Sequence, residues 1–334
     1  MNNAIKKIAV IGDGGWGTTL AILLCQKKYD VTLWGAFPEY LKELDSKRVN
    51  AKFLPGIPVP RQINITSSID DAVKGKDMIV LAVPSQHTRG VLTRLKGQKF
   101  SSEIFVSVTK GIENGTLKRM SEIIKEAIGD VKLVALSGPT IAHEVALGIP
   151  TTIVAASADA RLAKSVQDVF MTDAFRVYAS DDVIGTELGG SLKNVIAIAA
   201  GISDGLKFGT NAKAALLTRG LVEMVRLGIA MGAKKETFYG LSGLGDLATT
   251  CISPYSRNRR FGEEIGRGMI PQDALKETEM VVEGASTTKS AYDLAKRHKI
   301  EMPITSEIYK VIYENKDPKK AVFDLMTRPP KSEA

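Results

Sequence analysis

Apolar residues in the first half of the chain cluster in short runs, and helix-periodic segments separate most of them. The seven runs, each of strand length, are residues 5–11, 30–34, 78–83, 104–108, 133–136, 151–155 and 175–178. Strands that alternate with helices predict an α/β domain with a mainly parallel, doubly wound sheet. We expect ligands to lie beyond the carboxyl ends of these strands, as in other open sheets of this kind.

The pattern changes after Tyr178, where apolar positions recur every three or four residues and strand-like runs cease. Helix-periodic segments follow at 185–204, 212–231, 287–296, 304–313 and 321–326. This periodicity predicts an all-helical second domain. We therefore expect a dinucleotide-binding α/β domain at 1–187, a helical substrate-binding and catalytic domain at 188–328, and a disordered tail at 329–334.

The turn after the first strand carries three regularly placed glycines. Gly12, Gly14 and Gly17 form a G-x-G-x-x-G pattern between a strand and a helix, which is the context of the dinucleotide fingerprint. The first glycine permits a tight turn, the second lets the backbone approach a pyrophosphate, and the third lets helix and strand pack closely. The pattern predicts a site for NAD or NADP at the start of this helix, with a purely structural turn as the alternative.

The residue that usually discriminates between the two dinucleotides is missing from its expected place. An Asp or Glu at the end of the second strand would hold the ribose hydroxyls, and an Arg there would favour a 2′-phosphate. The chain has Gly35 and Ala36 instead. Lys47 and Arg48 could serve only if the following segment folds back, so the preference between NAD and NADP stays open.

One charged residue interrupts the apolar face of the predicted helix at 185–204. Lys193 has mostly small residues three and four positions away, among them Gly189 and Ala197. We expect a hollow around its ammonium group that leaves room for a ligand. A partly buried lysine is readily recruited for proton transfer, whereas most helical lysines extend their ammonium group to water.

Further polar residues follow strand ends and glycine-rich turns. Lys110 follows one strand-like run, and Gly138 and Thr140 follow the next, so all three are predicted at the ligand edge of the sheet. Asp246 comes after a glycine-rich turn, a pattern typical of a helix N-cap. Residues 253–262, SPYSRNRRFG, combine hydroxyl, amide and guanidinium groups that suit a phosphate, although a solvated basic face has the same composition.

The amino-acid composition limits the kinds of ligand and partner that the chain is expected to bind. The 334 residues include 45 Lys and Arg against 37 Asp and Glu, a formal net charge of +8 that favours anionic ligands. The basic residues are scattered and lack interleaved aromatic residues, so we expect no nucleic-acid partner. No window holds 18 apolar residues, so we expect a cytoplasmic chain without membrane insertion. Cys25 and Cys251 are predicted to be buried free thiols, and the three separated histidines indicate no metal site.

Several motifs resemble those of one enzyme family in order and spacing. They are IGDGGWGT, TKGIE, SGPT, GGSLKNVIAIAAGISDG, GLGDL, SRNRRFG and VVEG, spread over nearly the whole chain. The sequence resembles the bacterial NAD(P)-dependent glycerol-3-phosphate dehydrogenases. LKNV followed by SRNRRFG is far more specific to this family than the glycine pattern is.

The resemblance implies a Rossmann-type N-terminal domain, a helical C-terminal domain and roles for individual residues. It makes Lys193 the proton-transferring group, and it implies that Lys110 and Asp246 are further catalytic residues. The implied substrate-binding residues are Lys110, Gly138, Thr140, Lys193, Asn194, Asp246, Thr250, Ser256, Arg257 and Asn258. The cofactor-binding residues, with those of the glycine pattern included, are Gly12, Gly14, Gly15, Trp16, Gly17, Lys110, Ala142, Arg257, Val281 and Glu283.

The implied reaction is the reversible NAD(P)-dependent reduction of dihydroxyacetone phosphate to sn-glycerol 3-phosphate for glycerophospholipid synthesis, carried out by a homodimer without a metal. Two departures matter: Gly15 stands where many family members have Ser, and Gly35-Ala36 replaces a basic residue that is common after the second strand.

Two other functions are compatible with parts of the pattern. A β-hydroxyacid or ketopantoate-type dehydrogenase would also join a dinucleotide-binding domain to a helical one, but its carboxylate substrate would not need the phosphate-type cluster at 253–262. A nicotinamide-sensing regulator would need a nucleic-acid-binding motif, and the sequence contains none that we recognise.

Overall fold

The structure is a computed structural model that describes residues 5–98, 100, 103–278, 280–330 and 332–333. The chain divides into two compact units, one of Met1–Lys110 with Lys118–Glu187 and one of Gly111–Leu117 with Leu188–Ala334. Residues 111–117 therefore group with the second unit, although the sequence suggested a continuous first domain. Two residues of the predicted disordered tail, Lys331 and Ala334, lie outside the described residues.

The first unit contains one eight-stranded sheet, and this confirms the predicted α/β class. The strands are β1 (Lys7–Ile11), β2 (Asp30–Trp34), β3 (Asn64–Thr66), β4 (Met78–Leu81), β5 (Ile104–Ser107), β6 (Lys132–Ser137), β7 (Thr151–Ala156) and β8 (Phe175–Ser180). Their order is β3-β2-β1-β4-β5-β6-β7-β8, and every neighbouring pair is parallel except β6 and β7.

The length and burial of each strand explain whether an apolar run in the sequence predicted it. The central strands β4 and β5 are buried at every position, as expected for parallel strands with helices on both faces. The sequence did not predict β3. It has three residues, pairs only with β2 at the edge of the sheet, and is too short to show a hydrophobic period.

Among the described residues, the first unit contains a short 3-10 helix at Ser85–His87 and seven α-helices. The α-helices are α1 (Gly15–Gln26), α2 (Pro38–Lys47), α3 (Ile69–Val73), α4 (Thr88–Thr93), α5 (Met120–Ile128), α6 (Ala142–Ala146) and α7 (Ala160–Phe170). Alternate side chains of β1 enter separate cores on the two faces of the sheet. Val10 packs with Leu20 of α1, and Ile11 packs with Leu92 of α4. This doubly wound packing leaves the carboxyl ends of the strands and the start of α1 at one edge.

After Ser180 the described chain is helical, as predicted. The helices are α8 (Val183–Gly205), α9 (Gly209–Ala230), α10 (Lys235–Tyr239), α11 (Asp246–Ile252), α12 (Arg257–Gly266), α13 (Pro271–Glu277), α14 (Glu283–His298), α15 (Pro303–Tyr313) and α16 (Pro318–Met326). A π-helical turn at Leu241–Gly245 precedes α11. Within the described residues, no helix combines the length and apolar character that crossing a membrane requires.

Glycines bring α8 and α12 into close contact. A Cβ atom on Gly201 of α8 would lie 1.9 Å from the carbonyl oxygen of Arg259, and one on Gly262 of α12 would lie 2.0 Å from that of Ile198. Neither position can hold a side chain without moving a helix backbone. The contact therefore fixes the first turn of α12 beside the middle of α8, where Lys193 and its neighbour Asn194 lie.

Candidate active site

In the glycine-rich turn, two glycines are required for close packing of the backbone, and a third leaves open space. Gly12 has a φ of +124°, and a Cβ atom there would lie 2.6 Å from the carbonyl oxygen of Ala82. A Cβ on Gly17 would lie 1.9 Å from the carbonyl oxygen of Gly12, so α1 can approach β1 only with glycine at this position. A Cβ on Gly14 would meet no described atom within 4 Å. Gly14 is also the N-cap of α1, so the backbone here leaves room for an anion at the start of a helix.

Gly15, Trp16 and Ala142 lie near one another at this end of α1. A Cβ on Gly15 would lie 3.9 Å from the Cβ of Ala142 but 2.5 Å from the carbonyl oxygen of Phe53, so a serine in place of Gly15 would require the Phe53 backbone to shift. The indole Nε1 of Trp16 is buried and lacks a hydrogen-bond partner among the described residues. A buried donor of this kind fits a site that receives a polar ligand.

Asn50, which the sequence analysis did not single out, holds the turn in place. It is fully buried, and its Nδ2 donates to the carbonyl oxygen of Asp13 and to Oγ1 of Thr18, both at 2.7 Å. This role could not be predicted from the sequence, because Asn50 is far from the glycine pattern along the chain and lies outside any regular element. Its hydrogen bonds stabilise the backbone that a dinucleotide would contact.

Lys110, Gly138 and Thr140 come together at the ends of β5 and β6. The Nζ of Lys110 lies 2.8 Å from the carbonyl oxygen of Gly138 and 3.4 Å from Oγ1 of Thr140. Lys110 and Thr140 are partly exposed, so the ammonium group is held in place at the carboxyl edge of the sheet. This is the edge at which the topology predicts ligands.

Lys193 lies in a buried polar cluster of the second unit. Its Nζ is 3.0 Å from Oδ1 of Asp246 and 2.6 Å from Oγ1 of Thr250, and the Thr250 hydroxyl in turn donates to Asp246 Oδ1 at 3.2 Å. Lys193 is 7% exposed and Asp246 is 2% exposed. The lysine therefore does not extend into water, and Asp246 and Thr250 help to hold its ammonium group in place.

Two local expectations about this cluster are wrong. The small residue Gly189 does not border a hollow, because the carbonyl oxygen of Ser242 would lie 2.4 Å from a Cβ at that position. Asp246 is not an N-cap: Gly245 has that place, and Asp246 is the first residue of α11. Its carboxylate pairs with Lys193 because the π-helical turn continues into α11 and directs the side chain towards α8.

A buried ion pair is weak support for stability. The desolvation of two charges offsets much of their attraction, whereas removing one partner alone is costly. The pair places an oriented ammonium group in surroundings of low dielectric constant, which suits proton transfer and stabilisation of negative charge. The nearby Cys251 is buried, and burial raises the pKa of its thiol to about 12, so it is not a thiolate near neutral pH.

The SRNRRFG segment does not act as one cluster. Oγ of Ser256 accepts from the backbone N–H of Arg259 and caps α12, while Arg259 Nε donates to Oδ2 of Asp204 at 2.7 Å. Arg257, the first residue of α12, is exposed. Of these two arginines, Arg259 serves internal packing, whereas Arg257 is exposed as a residue, although desolvation of its guanidinium lowers its pKa and the charge of Glu283 acts in the opposite direction.

The first turn of α12 is joined to α8 and α14 by amide groups. Asn258 Nδ2 donates to Oδ1 of Asn194 at 2.8 Å, and Asn258 Oδ1 accepts from the backbone N–H of Gly284 at 2.8 Å. The predicted cofactor residue Glu283 is the first residue of α14, and Val281, two positions earlier, is 40% exposed. These hydrogen bonds fix the starts of α12 and α14 relative to the Lys193 helix.

Comparison with known proteins identifies the family. Models described as the N-terminus and the C-terminus of NAD-dependent glycerol-3-phosphate dehydrogenase match residues 7–163 and 182–323. A glycerol-3-phosphate dehydrogenase (NAD(P)+) from Citrifermentans bemidjiense is 50% identical over 331 residues, which cover 98% of this chain and 99% of that protein. The chain belongs to the NAD-dependent glycerol-3-phosphate dehydrogenase family.

Two further members of the glycerol-3-phosphate dehydrogenase family support this assignment. One, from a Thermoanaerobacter species, is 51% identical over 327 residues, with 98% of each chain covered. The crystal structure of glycerol-3-phosphate dehydrogenase from Coxiella burnetii has a TM-score of 0.94 and 40% identity, and the match covers 97% of this chain and 99% of that one. The resemblance, the α/β plus all-helical architecture and the NAD(P) cofactor class predicted from the sequence are thereby confirmed.

The predicted cofactor residues from Gly12 to Ala142 lie in the first unit, and Arg257, Val281 and Glu283 lie in the second. Within the described part of the chain, no three His, Cys, Asp or Glu side chains form a group that could hold a metal ion.

Proposed function

We propose that the protein catalyses the reversible reduction of dihydroxyacetone phosphate to sn-glycerol 3-phosphate with NAD(P) as the redox partner. The observation that carries this proposal is the buried Lys193 ammonium group, oriented by Asp246 and Thr250. The printed names of the relatives support the substrate, since they are glycerol-3-phosphate dehydrogenases at about half identity over almost the full chain.

In this proposal Lys193 handles the proton and the charge of the reaction. The dinucleotide supplies or accepts a hydride at C2 of the substrate when it is bound. Negative charge develops on the carbonyl oxygen during reduction, and the Lys193 ammonium group stabilises it and donates the proton. In the reverse direction the neutral amine accepts the alcohol proton. Asp246 and Thr250 act by holding Nζ in place.

The phosphate of the substrate is assigned to the start of α12. Arg257 is exposed there at the positive end of a ten-residue helix, and an arginine can bind two phosphate oxygens at once. Asn258 and Asn194 keep this helix start beside Lys193. Binding the remote phosphate would fix the position of the carbonyl group at the reaction centre.

The dinucleotide is assigned to the glycine-rich turn. Gly14 gives the pyrophosphate access to the start of α1, and the buried Nε1 of Trp16 offers a further donor. Lys110, held by Gly138 and Thr140, adds a positive charge at the carboxyl edge of the sheet. The proposal includes a cytoplasmic homodimer that supplies glycerophospholipid synthesis.

The test is the oxidation of reduced nicotinamide dinucleotide on addition of dihydroxyacetone phosphate, with chiral analysis of the product. We expect turnover that yields the sn-3 phosphate, and the same product should support the reverse reaction. Ketopantoate and a 3-oxo acid serve as comparison substrates. Turnover of either carboxylate in preference to dihydroxyacetone phosphate would refute the proposal.

A further inference from the structure

The end of β2 lacks the side chains that usually select between the two dinucleotides. Trp34 ends the strand, and Gly35, Ala36 and Phe37 follow it, so neither an acidic nor a basic residue stands there. An acidic residue at this place would bind the ribose hydroxyls, and an arginine would bind a 2′-phosphate. Selection between NAD and NADP must therefore come from another part of the chain.

The two cationic residues at the end of α2, Lys47 and Arg48, already have partners on or near α2. Lys47 Nζ lies 2.7 Å from Oε1 of Glu43 on its own helix. Arg48 NH1 donates to the carbonyl oxygens of Pro60 and Ile63, at 3.2 and 3.0 Å, and the same guanidinium also pairs with Asp45. Arg48 is thus used to hold the loop that follows α2. Neither cation replaces the missing partner for a 2′-phosphate.

A carboxyl group reaches the end of β2 from the glycine-rich turn. Asp13 lies between Gly12 and Gly14, and the backbone N–H of Gly12 donates to the carbonyl oxygen of Trp34 at 2.9 Å. A Cβ atom on Gly35 would lie 2.6 Å from both Cγ and Oδ2 of Asp13. The side chain of Asp13 therefore packs against the end of β2, in space that exists because residue 35 is a glycine.

The Asp13 carboxyl group is buried, and one of its two oxygens lacks a hydrogen-bond partner among the described residues. The residue is 9% exposed, and in the described part of the chain Oδ2 has no hydrogen-bond partner. Burial raises the pKa of this carboxyl group, although its own backbone N–H acts in the opposite direction. Such an oxygen is unfavourable in a protein that nothing binds, because it loses its hydrogen bonds to water.

The turn does not need this side chain to keep its shape. The backbone carbonyl oxygen of Asp13 accepts from Nδ2 of Asn50 at 2.7 Å and from Oγ1 of Thr18 at 3.2 Å. These contacts would be available to any residue at position 13. The position of the carboxyl group is therefore better explained by a ligand than by the packing of the turn.

We propose that Asp13 accepts hydrogen bonds from the adenosine ribose hydroxyls of the bound dinucleotide and selects against a 2′-phosphate, so that the protein prefers NADH to NADPH. Asp13 would thus take the part that an acidic residue at the end of β2 has in other dinucleotide-binding units. The inference rests on the proposed function only in that a nicotinamide dinucleotide binds at the glycine-rich turn.

The experiment measures the dissociation constants of NADH and NADPH by titration calorimetry in the absence of substrate. We expect the unmodified protein to bind NADH about tenfold or more tightly than NADPH. In Asp13→Ala the loss of a hydrogen bond to a buried carboxyl group should weaken NADH binding about tenfold or more and leave NADPH binding unchanged or tighter. The ratio of the two constants should therefore approach one.

Two further variants separate selection from a general loss of structure. Asp13→Asn keeps the shape and one acceptor oxygen, so it should bind NADH more tightly than Asp13→Ala does and bind NADPH more tightly than the unmodified protein does. Asp77→Ala is the matched control: Asp77 accepts from the backbone N–H groups of Lys6 and Lys7, near the opposite end of β1. It should lower the melting temperature and leave the NADH to NADPH ratio unchanged.

The outcomes distinguish this inference from the proposed function. Equal or tighter binding of NADPH by the unmodified protein, or an equal weakening of both dinucleotides in Asp13→Ala, would overturn the role of Asp13 even if dihydroxyacetone phosphate is reduced. Failure of the folded protein to bind either dinucleotide would overturn the role of Asp13 and the proposed function together.

Discussion

Small residues serve different ends in the glycine-rich turn and in α8. At Gly14 of the turn, the space that a side chain would occupy is open. On α8, the corresponding spaces at Gly189, Gly201 and Gly205 are filled by carbonyl oxygens of neighbouring segments. Glycine thus leaves open space at Gly14, whereas at these positions of α8, as at Gly17 in the turn, it permits close packing of the backbone.

The turn and α8 also differ in the chemical groups that they offer to a ligand. In the turn, the groups available to a ligand are mainly backbone N–H groups at the start of α1. Around α8 they are charged side chains, because close packing has buried Lys193 and Asp246 as a pair. In our proposals, dinucleotide binding thus uses the open backbone at Gly14 together with the Asp13 side chain, and proton transfer uses the enclosed side chains of Lys193 and Asp246.

Lys193→Ala should have the largest effect. Loss of the proton donor is expected to lower kcat for dihydroxyacetone phosphate about a thousandfold or more, while the dissociation constant for NADH stays near its original value. The matched control is Lys213→Ala, which removes another partly buried lysine from the same unit, one paired with Asp204 at 2.6 Å. Comparable losses of kcat in both variants would show that the effect comes from disrupted packing.

Gly14→Ala tests the open space in the turn. The added methyl group meets no protein atom, so the fold should keep its melting temperature. It should obstruct the pyrophosphate and weaken NADH binding about tenfold, because steric overlap of one methyl group costs about 1–3 kcal/mol. Gly17→Ala is the opposite case: its methyl group would overlap the Gly12 carbonyl group, so the main effect should be a lower melting temperature. Unchanged NADH affinity in Gly14→Ala would place the pyrophosphate elsewhere.

Arg257→Ala should act on substrate affinity. Without the Arg257 guanidinium at the start of α12, the KM for dihydroxyacetone phosphate is expected to rise about tenfold or more, with a smaller change in kcat. Arg260→Ala, an exposed arginine on the same helix, is the control and should leave KM unchanged. An equal rise in KM for both variants would indicate diffuse electrostatic attraction in place of a defined phosphate contact.

Glu223 should affect stability and leave turnover nearly unchanged. Its carboxyl group accepts from the backbone N–H groups of Ile304 and Thr305 at the start of α15, and burial raises its pKa to about 7. The folded pKa lies above the value of about 4.3 in the unfolded chain, so the folded state keeps a proton that the unfolded chain loses. The free energy of unfolding should therefore fall by about 3 kcal/mol as the pH rises from 4 to about 7.

Urea unfolding at a series of pH values measures this contribution. Glu223→Gln should be less stable at low pH, because the NH2 group that replaces one carboxyl oxygen cannot accept from a backbone N–H, but it should lack the decrease between about pH 4 and 7. The same decrease in Glu223→Gln would assign the titration to another group.

The sequence predicted most of the fold because the strands are apolar runs bounded by glycine and polar residues. β2 was predicted with its observed bounds, Asp30–Trp34, whereas the edge strand β3 was missed because three residues carry no measurable period. The grouping of 111–117 with the second unit could not be anticipated, since it depends on contacts such as that of the Ile112 carbonyl oxygen with Ser290.

The candidate site was less accessible to sequence reasoning. Lys193 stood out as a charge on an apolar helix face, but its pairing with Asp246 joins residues that are far apart in the chain and was suggested by family resemblance alone. The adjacent arginines of SRNRRFG could not be separated, because the contact between α8 and α12 decides that Arg259 turns inward. Asp13 was missed because its surroundings depend on Gly35, which another strand positions.

The most direct test of the Lys193 account is a double-mutant cycle on kcat with Lys193→Ala, Asp246→Asn and the combined variant, each checked for NADH binding. If Asp246 acts only by holding the ammonium group, the combined variant should be no slower than Lys193→Ala alone. Losses that multiply in the combined variant would contradict the account, because Asp246 would then act on the reaction independently of the lysine.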